Sequence, residues 1–200
     1  VQARLVRGRD GATRVQLRVE LGMMQMELHG RPDGACPHGH ESLLHFHRAE
    51  LHRHLQETGS PQGFGLGPED CEALRRESLQ YYHRRICLLE LGMYDLAERD
   101  ATRNLEVLDL LRDHANRAED ARQSEPYRAF ILSHQVMARA MALAHDGQLR
   151  AALRAVDAGL ESVRTVLQEQ ERGDRWEECD EIEFLQHLRD RLRRGRYGRL

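Results

Sequence analysis

The chain has 200 residues, 40% of them hydrophobic and 5% aromatic, with 33 acidic side chains against 30 basic ones and a net charge of -3. That length allows one domain with a real core, or a compact domain with an appendage, and few aromatics beside abundant Leu, Ala and Arg favour helices packed through aliphatic stripes. A nearly balanced charge gives no global attraction to nucleic acid or anionic lipid, and the absence of lysine excludes Schiff-base, P-loop and kinase-type lysine chemistry.

From Val1 to about Leu28 apolar residues alternate with polar ones. Asp10-Gly11 is a hairpin-turn dipeptide, and Val15, Leu17, Val19 and Leu21 share one face, so the segment predicts a β-hairpin. Leu17, Leu21, Met24 and Leu28 also fit a helix, which Gly22 would weaken. His29 to His40 is turn chemistry throughout, and a first helix is expected over Glu41–Glu57. Thr58 to Gly67 reads as a flexible connector. Its glycines Gly63, Gly65 and Gly67 precede a helix as a phosphate loop would, but without GxGxxG spacing, a clear strand or a lysine.

Pro68 suits a first helical turn, and helices are expected over Pro68–Leu91, Tyr94 to about Ala118, Ser124 to about Asp146, and Leu149 to about Glu171. Ile182, Leu185, Leu188 and Leu192 form the stripe of a last helix, which runs into a basic tail. The chain therefore divides into 1–40, 41–67, 68–173 and 174–200. Its expected fold is mainly α, a stack of antiparallel helical hairpins with a small N-terminal β-hairpin.

Gly92, Tyr94, Ala97, Ala101 and Leu105 align with Gly147, Leu149, Ala152, Val156 and Leu160. These residues resemble the turn and second helix of a tetratricopeptide repeat, in which a glycine closes the turn and a small alanine lets paired helices approach. Tyr81, Ala140 and Leu143 add to the likeness. Arg85 at the small-residue position, the missing closing proline and the long helices depart from it. The resemblance implies a helical hairpin stack that docks a protein or peptide. Tyr94 to Asp100 and Leu188-Arg189-Asp190 also resemble, more weakly, parts of the helical-hairpin motif of UvrB and UvrC, which implies a bacterial adaptor or assembly component.

Seven of the 12 histidines lie between His29 and His54. Cys36, His38 and His40 form a close-spaced string that could chelate zinc, copper or nickel. His47, Glu50 and His54 fall on one helical side shared with Leu43, Leu44 and Leu51, and so are expected to face the core. Such a set could hold a metal or a general base, or form a hydrogen-bonded buried network or a partly solvated seam; HExxH spacing is absent. Metal binding is thus the alternative function. His45 and His52 are expected on the solvated face.

Arg84 and Arg85 align with Arg139 and Ala140, so an arginine at a packing position is expected either to snorkel to the surface or to meet an acidic partner, and in both cases to leave a basic feature on one side of the stack. It would suit an acidic peptide or a carboxylate-bearing surface of another copy of this chain. Arg189, Arg191, Arg193, Arg194, Arg196 and Arg199, with Tyr197, could grip phosphate, but upstream acids offset them and nucleic acid is not the expected partner. Four widely spaced cysteines, the lack of a recognisable signal peptide and no apolar run near the roughly 20 residues of a membrane span make the cytoplasm the expected compartment, with no membrane partner expected.

Overall fold

A computed structural model describes residues 2–170 and 179–195. The fold is mainly helical, with one small antiparallel sheet. The elements are β1 (Gln2–Arg7), β2 (Thr13–Val19), β3 (Gly22–Glu27), α1 (Leu43–Thr58), α2 (Pro68–Glu90), α3 (Tyr94–His114), α4 (Ala118–Arg122), α5 (Arg128–His145), α6 (Leu149–Glu169) and α7 (Asp180–Arg193). They form two compact units: Val1–Cys87 with Glu106–Glu125, and Leu88–Leu105 with Pro126–Leu200. Neither is continuous in sequence, because α2 and α3 each run from one unit into the other.

The first unit holds three strands where the alternation predicts two. β2 lies in the middle, Val15 opposite Leu5 and Met26, Leu17 opposite Ala3 and Met24. Val15, Leu17 and Met26 are buried, while Val19 and Leu21, expected on the same face, are exposed at the turn into β3. On the other face Arg4, Gln16 and Gln25 form a ladder, with both contacts at 3.0 Å. Arg14 bridges Asp10 at 2.6 Å and Glu27 at 2.5 Å.

α1 starts at Ser42, whose hydroxyl accepts from the His45 amide, and ends at Gly59 in the left-handed region. Leu44 packs with Cys71 and Leu74 of α2, Val107, Leu110 and Leu111 of α3, and Leu66. Leu66 corrects the flexible connector. Its amide donates to the His114 carbonyl at 2.8 Å, its carbonyl accepts from Asn116 at 3.0 Å, and its side chain is 2% exposed. A strand-like bridge to Ala115 thus holds Leu66 in the core while Gly63 and Gly65 stay exposed, a non-local pairing that glycine content cannot forecast.

In the second unit α5 and α6 pack as a pair, and α7 lays Ile182, Leu185, Leu188 and Leu192 against them. The approach of α5 to α6 is close at Gly159, where a Cβ would lie 2.5 Å from the Val136 methyls. α5 begins at Arg128, later than the Ser124 cap predicts, because Glu125–Tyr127 forms a short 3-10 turn ahead of it. Gly173, Glu177, Glu178, Arg196, Tyr197 and Arg199 lie outside the described residues.

Candidate functional site

The histidine-rich segment folds around Phe46 of α1. The exposed ring of His38 stacks on it at 4.1 Å, His40 meets it edge-on at 5.6 Å, and His47 at 5.0 Å. His38 is the one described non-glycine residue with positive φ, at 52°. Cys36 is a free, exposed thiol.

The expected core-facing trio does not form as a unit. His47 alone is buried, at 6% exposure; burial lowers its pKa from 6.5, Asp70 and Glu50 oppose that shift, and His38 adds to it. Glu50 turns to Arg53, and His54 donates from Nε2 to the Gln62 carbonyl at 2.8 Å, both side chains half-buried. The reason is angular: α1 meets the core along Leu44 and His47, and the next turns carry Glu50 and His54 to its margin. Among the described residues no three His, Cys, Asp or Glu side chains converge as a metal would require. His45 shares a 2.9 Å hydrogen bond with Ser42, and His52 one of 2.9 Å with Gln56.

Arg84 and Arg85 neither snorkel to the surface nor leave a basic feature there, because both are buried, at 0% and 1% exposure. Arg84 Nη1 donates to the carbonyls of Glu27 and Gly30, each at 2.8 Å, and its guanidinium lies 4.9 Å from the Tyr81 ring centre. Arg85 lies over Tyr82 at 5.5 Å. Two turns back on α2, buried Glu77 accepts from the Leu43 amide at 2.9 Å, anchoring the start of α1, and stands 3.4 Å from Arg31. Gln80 donates to Asp33 at 3.1 Å.

α2 thus fastens the loop after β3 through Glu77, Gln80 and Arg84, a role periodicity does not find. The available signal was Glu77, Tyr81 and Arg84 at helical spacing, two ionisable groups bracketing an aromatic on one face. Arg31 lines two clefts in this unit, of about 630 Å³ beside Arg14, His29, Cys36 and Glu41, and about 520 Å³ beside Glu72 and Arg76. Gly67 donates to Asp70 at 3.0 Å, so a carboxylate of this chain already sits at the α2 N-terminus.

The two aligned turns share their glycine conformation and their main closing hydrogen bonds. Gly92 and Gly147 adopt φ of 73° and 76°. Met93 donates to the Leu88 carbonyl at 2.8 Å, and Gln148 to that of Leu143 at 2.8 Å; Ala97 then donates to Met93 at 3.1 Å, and Ala152 to Gln148 at 3.0 Å. Ala97 and Ala152 are fully buried, as are Ala101 and Val156. Tyr94 is buried with its ring 5.1 Å from His145, whereas Leu149 is half-buried. Arg139 is exposed on α5 and opposes the upward pull of burial and Asp95 on the Glu98 carboxyl. Arg189 reaches Asp157 at 3.4 Å, which ties part of the basic tail to α6.

No helix among the described residues is long and apolar enough to cross a membrane. In comparison with known proteins, the chain matches no family model, no curated protein and no solved structure.

Proposed function

We propose that this chain is a docking module, an adaptor or assembly component in the cytoplasm that presents helical hairpins of tetratricopeptide-like design to a protein or peptide. The observation that carries the reading is the pair of matched turns at Gly92 and Gly147, each followed by a buried alanine one helical turn on. A unit repeated in this way packs its apolar residues inward and leaves outward positions free to differ, which is how hairpin stacks serve as binding surfaces. The likeness of Tyr94 to Asp100 to the UvrB and UvrC hairpin agrees with the same role. Four free cysteines suit a reducing compartment.

With Arg84 and Arg85 buried, the cation left for recognition from the aligned trio is Arg139. Affinity capture from the source cell, comparing the wild type with Arg139→Glu, tests the reading. The expected result is a discrete partner that the variant loses while its helical circular dichroism is unchanged. Capture of nothing above a control helical protein, or full retention by the variant, overturns it.

A further inference from the structure

We infer that the outer edge of β1 is a docking strand for an extended, acidic segment of another protein. The inference rests on the sheet and not on the helical hairpins. β1 pairs with β2 from Gln2 opposite Arg18 to Arg7 opposite Thr13, and among the described residues no other backbone hydrogen bond involves Gln2–Arg7. The opposite edge differs, for on β3 the Glu27 amide donates to the Pro32 carbonyl at 2.8 Å. An edge left open in this way is a template for an added strand.

Its side chains select the occupant. On the core-facing side the apolar surface of Val15 and Leu17 continues through Ala3 to Leu5, which is 45% exposed. Apolar residues of an added strand would cover it. Arg4, Arg7 and Arg9 supply three cations with no acid between Gln2 and Arg9. Among the described residues these arginines form no ion pair, whereas Arg14 on the neighbouring strand is held by both Asp10 and Glu27. A second copy of β1 would bring arginines against arginines, which opposes pairing. A strand alternating acidic and β-branched residues places carboxylates beside Arg4 and methyl groups over Leu5, with a terminal acid toward Arg7 and Arg9.

The test titrates the full chain with a fluorescein-labelled peptide the length of β1 that alternates Glu and Val. A Lys-for-Glu version and a version with proline at the Val positions serve as comparisons. The expected result is saturable binding of the acidic peptide alone, weakening as salt rises, with backbone amide exchange slowed in Gln2–Arg7 and unchanged in Gly22–Glu27. Arg4→Glu with Arg7→Glu should weaken it about tenfold or more, and Arg4→Gln with Arg7→Gln, which leaves the fold less perturbed, should weaken it in the same direction. Arg139→Glu should leave it unchanged, so failure here and failure of hairpin docking are separate results.

Absence of binding would mean that the arginines only guard the edge, and would overturn the inference. So would equal binding of the lysine or proline peptide, retention in both β1 variants, or protection elsewhere in the chain. Self-association of the chain that the Arg4→Glu, Arg7→Glu variant abolishes would assign the edge to a second copy and overturn it as well.

Discussion

α2 and α5 occupy matched places before matched glycine turns, yet they use their buried faces in opposite ways. α5 buries Ala129, Ala138, Ala140, Ala144, Met137 and Met141, a face of small and pliant side chains against which α6 approaches at Gly159. α2 buries Glu77, Arg84 and Arg85, and spends two of them on fastening a loop and the start of α1. Where Ala140 allows close packing, the aligned Arg85 fills the space and lies over Tyr82. The same turn therefore serves two kinds of helix, one held by apolar packing and one, α2, that adds buried ionic and hydrogen-bonded contacts to the apolar packing of Cys71, Leu74 and Leu88. The two should fail differently when altered.

The largest expected effect is at Arg84. Arg84→Ala removes both hydrogen bonds to the loop carbonyls and leaves a void beside Tyr81, and should destabilise the protein by about 3 kcal/mol in urea unfolding. Its aligned counterpart, Arg139→Ala at an exposed position of α5, should change stability by no more than about 0.5 kcal/mol. Equal effects at the two sites would break the contrast between the helices.

Shape should dominate in α5 and α6. Gly159→Ala gains helix propensity but forces a Cβ into the Val136 methyls, and the net loss should be about 2 kcal/mol. Ala152→Leu, at a fully buried site, should cost about 2 kcal/mol in the same measurement. Loss of stability at Gly159 but none at Ala152 would confine the close packing to the middle of the pair.

A smaller effect separates the polar unit by pH. The folded-state pKa of His47 lies below its ordinary 6.5, so between those values the unfolded chain binds a proton that the folded chain resists. Stability conferred by the neutral ring is complete above about pH 6.5 and falls as the pH drops toward the folded value; His83, also lowered by burial, adds in the same direction. Urea midpoints at pH 7.5 and 5.5 should converge in His47→Gln relative to the wild type, and an unchanged difference would place the pH dependence elsewhere. The smallest effect concerns metal. Since the described Cys36, His38, His40, His47, Glu50 and His54 side chains do not converge, dialysis against a chelator should leave the thermal midpoint unmoved. A fall of several degrees would revive the metal alternative.

Local chemistry by itself determined the helical punctuation of this protein. Pro68, Gly92 and Gly147 mark ends within a residue or two of their positions in the structure, because φ preferences and missing amides act within one turn. The alignment of the two turns was legible for the same reason. Tertiary structure alone decided the rest. β3 became a strand because β2 was there to pair with Met23 to Met26, a stretch whose stripe also fits a helix. Leu66 entered the core through distant partners at His114 and Asn116, and Arg84 was buried because Glu27 and Gly30 offered it carbonyls. His47 was taken inside, while Glu50 and His54 on the same helix were left at the margin. Periodicity names a face of a helix, but how much of that face is covered depends on what packs against it, and that is fixed by residues far away in the chain.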